Sequence, residues 1–233
     1  YSPEFIQGLV LTVDYWNIDI TNAISTLGEQ LILDSCAATG LHCNLIERTG
    51  PEVPSLYGNS RSINNRTINV GGVLSKGYDF SASYSTQLAM GQLSVSLDST
   101  FYDTYDIEQA NGNIVQNAGF FFDGARGGAG NFPEWRSNLY FSLTDGDWSG
   151  DLAFRYIGEV DEIGNQGLRT IDSQLVTDMR FTYFMDNVST SVGMTNIFDE
   201  DPPFAQGGFS DNTDPRTYST AGRHAYLTVK VSF

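Results

Sequence analysis

Few residues in this chain have the type and spacing to do chemistry. Cys36 and Cys43 stand close together in a polar stretch, with Gly40 between them and Gly50, Pro51 and Pro54 behind. Two thiols so near in one loop favour a local disulfide, which implies an oxidising compartment such as a periplasm or a cell surface. His42 adjoins Cys43, but a metal site there would lack a fourth ligand; a reduced thiol pair is the third reading. Asp199-Glu200-Asp201, Asp211-Asn212-Asp214 and Asp161-Glu162 carry oxygens of the kind that hold calcium, or they belong to solvated loops. The segment GFFFDGARGGAGNFPEW is unusual. Its aromatic residues Phe120, Phe121, Phe122 and Trp135, with Arg126 among the glycines, are expected to be exposed, where they contact a ligand, cover a mouth or rest on neighbouring loops. No serine-histidine-acid pattern emerges, and His42 and His224 read as structural. The expectation is therefore no enzyme, no metal and no cofactor.

These residues lie in or between segments of alternating polarity. In the last twelve positions Ala225, Leu227, Val229, Val231 and Phe233 share one register, against His224, Tyr226, Thr228, Lys230 and Ser232. A period of two puts these sets on opposite faces of one strand. Seven earlier segments behave alike, beginning near Leu9, Asp79, Gln92, Arg136, Trp148, Gln174 and Val188, which makes eight strands. Tight links follow strands two, four and six, at Ala89-Met90-Gly91, Asp145-Gly146-Asp147 and Met185-Asp186-Asn187. Long connections follow strands one, three, five and seven, among them a Gly/Asn-rich loop expected from about Asp103 to Phe132 and another around Gly158 to Thr170. Short turns at one end and long loops at the other are the habit of outer-membrane barrels, in which closure satisfies every backbone group in lipid.

The charges agree with this reading. Asp14, Asp79, Asp98, Arg136, Asp151, Arg155, Asp178, Arg180 and Lys230 all fall on the polar register. A lipid-facing Arg at mid-membrane would cost about 2 to 4 kcal/mol. Asp19 and Lys76 are on the apolar register, each beyond the roughly 9 to 11 residues that cross the bilayer from the turn end. Tyr15, Tyr84, Trp148 and Tyr183 near strand ends suit interfacial girdles, or reflect the strand preference of aromatic residues.

Composition bounds the class. The chain has 233 residues, with 24 Gly, 12 Tyr and 15 Phe, and a mean hydropathy of -0.22. No segment approaches the roughly 20 apolar residues of a spanning helix. With a net charge of -16 and its 12 Lys and Arg scattered singly, the chain lacks the basic stripe that nucleic acid requires. It starts without an initiator Met or a leader-like segment.

Four segments resemble the TonB-dependent outer-membrane receptors. LTVDYWNIDITNAI resembles a strand with an aromatic-Asp pattern before a long loop, and ILDSCAATGLHCNLIER resembles the Cys-paired loop of one large subgroup. INVGGVLSKGYDFSASY is similar to an Asn-x-Gly then Gly-x-acidic strand, with Gly77 and Asp79 in those places. TNIFDEDPPF followed by AGRHAYLTVKVSF resembles the penultimate-strand motif and the terminal strand, at Asn196, Phe198, Asp199, Pro202, Gly222 and Arg223. The resemblance implies an all-β fold of antiparallel transmembrane strands, about eight of an expected twenty-two, with residues 1–233 a C-terminal portion of the barrel domain and no plug domain. It implies active uptake of a scarce ligand (a siderophore, cobalamin or a saccharide), energised by TonB through a plug that this chain lacks. Phe233 is expected to be an assembly signal read by the barrel-insertion machinery, and outer-membrane lipid and lipopolysaccharide to be the surroundings. The competing expectation is a self-contained eight-stranded barrel serving as adhesin, anchor or lipid-modifying enzyme. In that case the first strand must pair with the last.

Overall fold

The computed structural model describes all residues except 111, 123–129, 165–166, 209–210 and 233. Phe233 and Arg126 therefore lie outside the described residues. The chain opens with β1 (Leu9–Thr21), and the long connection after it holds β2 (Ile24–Thr26), helix α1 (Glu29–Thr39), β3 (Ile46–Arg48), β4 (Ser60–Ile63) and β5 (Thr67–Asn69). Two long strands follow, β6 (Gly72–Leu88) and β7 (Gly91–Glu108), then the short β8 (Ile114–Gln116), β9 (Phe120–Phe122) and β10 (Gly130–Phe132). The hairpin β11 (Trp135–Asp145) and β12 (Trp148–Ile157) leads to β13 (Val160–Gly164) and β14 (Gly167–Ile171). The hairpin β15 (Gln174–Met185) and β16 (Val188–Thr195) is followed by a long connection into β17 (His224–Val231).

The eight expected strands form one sheet in the order β1-β6-β7-β11-β12-β15-β16-β17, with β8 added to the outer part of β7. The order is that of sequence, a plain up-and-down meander. β1 and β17 are its two edges and, among the described residues, do not pair with each other. Two-residue turns close the hairpins at Gly146 and Asp186, whose φ values of 50° and 44° are those that such turns demand.

Register explains why one face is apolar. Leu93, Leu143, Gly150, Phe181, Val192 and Leu227 stand opposite one another in sequence across six strands. One residue along, the row is Ser94, Ser142, Asp151, Arg180, Gly193 and Tyr226. A slip of one residue in any strand would exchange the two rows, so register and burial fix each other.

The connections hold more structure than their loop-like sequences suggest. β7 continues to Glu108, past the expected strand end near Asp103, because β8 pairs with it at Asp106, Ile107 and Glu108. The segment expected as a loop from Gly158 to Thr170 folds as the β13–β14 hairpin.

The chain divides into two compact units, Ile18–Leu74 with Asp106–Gln116, and the remainder. In the first, β2 pairs with β5 and β3 with β4, while α1 buries Ile32. The helix was not anticipated from sequence, since its apolar residues follow no clean helical stripe. Asn65 brackets its start, accepting from the Gly28 amide at 3.1 Å and donating to Glu29 Oε1 at 3.0 Å. Glu29's own backbone amide and the Asn65 side chain hold its carboxyl below the usual range. Gly40, at φ 74°, ends the helix in the left-handed conformation. Cys36, in the last turn, is disulfide-bonded to Cys43 in the 3-10 turn that follows.

Candidate functional site

The second unit carries the polar face of the sheet. Near the turn end, Asp151 accepts hydrogen bonds from Tyr140 Oη, from Ser142 Oγ at 2.8 Å and from Arg180 Nε at 2.9 Å. Higher along the wall, Arg155 pairs with Asp178 at 3.1 Å. On the neighbouring strands Thr100 donates to Asp79 at 2.7 Å and Ser81 to Asp98 at 2.8 Å. On this register Asp151 and Asp178 therefore pair with cations across strands, while Asp79 and Asp98 accept from hydroxyls. Gly193 has no side chain because the Tyr226 ring lies where its Cβ would be.

Toward the loop end, aromatic rings replace the carboxylates. Trp16, on the polar register of β1, meets Tyr102 edge-on at 5.1 Å between ring centres. Tyr102 meets Tyr105 at 6.3 Å, and Tyr105 meets Phe132 at 4.4 Å. The four rings form a continuous row, each half-buried. Gly77 makes the row possible, because a Cβ there would collide with the Trp16 ring.

Above the sheet, three long connections fold into one body, a cap. β9 pairs with β10 and, in parallel, with β13, which pairs with β14. Its core is Phe121, Val160, Ile171, Ala205 and Tyr218. Burial pushes the Tyr218 phenol above the ordinary tyrosine range. Glu162, only 2% exposed, accepts from the amides of Gln206 at 2.7 Å and Gly207 at 3.0 Å and pairs with Arg169 at 3.0 Å. Arg169 in turn lies over the Phe204 ring at 4.8 Å. Gly167, Leu168, Arg169, Phe204 and Gln206 line an open hollow of about 510 Å³.

The sequence-chosen residues divide. Phe121 is 4% exposed and belongs to the core, so the expectation of an exposed ring is corrected there: three connections converge on it. Phe120 is half-buried on β9 and Phe122 pairs with Gly130, its side chain lying outside the description. Trp135 opens β11 on the apolar register, donates through Nε1 to Ser99 and Ser137, and packs against Tyr156. In each acidic cluster at least one carboxylate has a protein donor. Asp161 accepts from Thr170, Asp214 from Arg216 and Thr217, and Asp199 from the Arg223 amide. Among the described residues no three His, Cys, Asp or Glu gather as a metal-binding group.

Sequence reasoning missed Arg169, Phe204 and the aromatic row, whose members come from three strands distant in sequence. Their signal was Trp16 and Tyr102, aromatic residues on polar registers.

The TNIFDEDPPF segment forms a knot that joins the sheet to the cap. Asn196, buried at φ 51°, donates through Nδ2 to the carbonyls of Glu200 and Ala221, while its Oδ1 accepts from the Glu200 amide. Its own amide donates to Asp178. Asp199 meets the Arg223 guanidinium at 3.5 Å, and a Cβ at Gly222 would stand 3.2 Å from Asp199 Oδ1.

Residues 1–197 fit the family described as TonB dependent receptor-like, beta-barrel. The chain belongs to the TonB-dependent receptors. Solved receptors share its fold at low identity. The ferric enterobactin receptor PfeA of Pseudomonas aeruginosa superposes with a TM-score of 0.64 at 17% identity, over 97% of this chain and 29% of its own. The siderophore receptor PirA of Acinetobacter baumannii gives 0.59 at 15%, over 97% and 30%. The iron transporter FrpB of Neisseria meningitidis gives 0.61 at 13%, over 97% and 29%. No curated protein matches the sequence. This receptor chain thus spans under a third of the length of the solved receptors that it matches, and its eight-stranded open sheet is part of their barrel.

Proposed function

We propose that this chain is the C-terminal part of the barrel of an outer-membrane receptor that takes up a scarce ligand actively, with TonB supplying energy through a plug domain. The turns would face the periplasm and the long connections the outside, with lipid and lipopolysaccharide against the apolar register. Phe233 would serve the insertion machinery in this reading. The observation that carries it is the fusion of the connections after β7, β12 and β16 into one cap at one end of the sheet. Anchors and adhesins need no such shared, latched body over an inner polar wall. The open strand order also supports a receptor over a self-contained eight-stranded barrel, in which β1 and β17 would pair.

The test is accumulation of radiolabelled ferric siderophores, cyanocobalamin and maltodextrins by cells making the complete receptor, with and without TonB. Uptake of one of them that stops when TonB is removed is expected. Equal accumulation in both strains, or none of any probe, would overturn the proposal.

A further inference from the structure

The row Trp16, Tyr102, Tyr105 and Phe132 has no part in closing the cap core or in pairing the charges below it. From it we infer that the wall beside the first three long strands is a stacking track for a neutral, polyhydroxylated ring, that is, for a saccharide. The inference rests on the uptake reading above and names its substrate class.

Three features select this chemistry. The rings follow one another at 5.1, 6.3 and 4.4 Å, mostly edge-on or tilted, so they offer successive platforms rather than an enclosure. Quaternary ammonium ions are held by aromatic cages that surround one point charge. A row of platforms suits a ligand of several linked rings, whose C–H faces lie on the negative faces of the aromatic residues.

The groups beneath the row are acceptors. Asp14 is two residues before Trp16, Asp79 two after Gly77, and Asp98 four before Tyr102, each on the polar register and each nearer the turn end. An ionised carboxylate has about four acceptor sites, so Asp79 and Asp98 keep capacity after receiving Thr100 and Ser81. Sugar hydroxyls supply the donors that such a wall takes.

The charge balance disfavours anions. From Thr12 to Trp16, Gly77 to Ser85 and Gln92 to Tyr102, the polar registers contain these three carboxylates and no Lys or Arg. The cation nearest in register is Arg136, opposite Thr100 on β11, and its guanidinium donates to the Asn131 carbonyl at 3.4 Å. An anionic ferric catecholate would face three carboxylates and one engaged guanidinium. A neutral ring bears no such repulsion.

The test uses the complete receptor in detergent, titrated by calorimetry and tryptophan fluorescence with maltohexaose, chitohexaose, xylohexaose, ferric enterobactin and tetraethylammonium. At least one oligosaccharide is expected to bind. Trp16→Ala and Tyr102→Ala should each weaken it about tenfold, whereas Trp16→Phe should stay within roughly threefold. An unchanged urea midpoint in these variants establishes that they remain folded. Failure of every oligosaccharide to bind would overturn the inference, as would binding indifferent to Trp16→Ala. Trp16-sensitive binding of ferric enterobactin or tetraethylammonium in place of a sugar would overturn the saccharide class and leave TonB-dependent uptake standing.

Discussion

Trp16 lies across Gly77, with its indole where a Cβ of residue 77 would be, and the Phe101 carbonyl oxygen closes the same space from the main chain. The ring can swing aside; the backbone oxygen cannot. Gly77→Ala should therefore cost about 1 to 3 kcal/mol through overpacking. The check is a lower urea midpoint together with altered tryptophan emission, and an unshifted midpoint would refute the overpacking.

Asn196 separates backbone strain from side-chain bonding. Its amide group makes three hydrogen bonds to main-chain atoms while its φ is 51°. Asn196→Ala loses the bonds and meets the left-handed penalty, about 3 kcal/mol together. Asn196→Gly loses the bonds alone and should be about 1 kcal/mol less damaging. Denaturant midpoints of the two variants compare these directly, and equal losses would remove the strain component.

Glu162 latches the cap. Glu162→Gln leaves one of two main-chain amides without its acceptor and removes the charge facing Arg169, at a cost of about 2 kcal/mol. Arg169 is about a third exposed, so Arg169→Ala should cost less, about 0.5 to 1 kcal/mol. Limited proteolysis near residues 206–207 should speed up strongly in Glu162→Gln and mildly in Arg169→Ala.

The disulfide acts within its own unit. Replacing Cys36 and Cys43 by Ser should free a short loop at about 2 kcal/mol of local stability. Tryptic cleavage at Arg48 and Arg61 should rise, matching the wild type under reducing conditions, while the urea midpoint of the sheet stays where it was.

Tyr218 confers a pH limit on the cap. Burial holds its phenol above the ordinary value of 10.0, so the neutral form is favoured in the folded state. Its contribution is complete below that value and falls as pH rises through the raised one. Ultraviolet titration should show late tyrosine ionisation coincident with increased protease sensitivity of the cap. In Tyr218→Phe the part of the late absorbance that accompanies this sensitivity should vanish.

Much of this was legible in the sequence. Asp151 and Arg180 could be assigned to one face from a period of two alone, and the turns at Gly146 and Asp186 from their residues. The cap was not legible. Phe121 looks like an exposed loop aromatic until Val160, Ile171, Ala205 and Tyr218 arrive from distant segments, and Glu162 reads as one acid of a loop until the 206–207 amides reach it.

Alternation by itself determined the eight strands of the main sheet and which residues share each face, because side-chain direction in a strand is a local consequence of backbone geometry, and four short motifs carried the resemblance to the family. Which rings touch, which acids are latched and which connections fold together were decided only in three dimensions. Those contacts join residues tens of positions apart, and local periodicity carries no record of such distances.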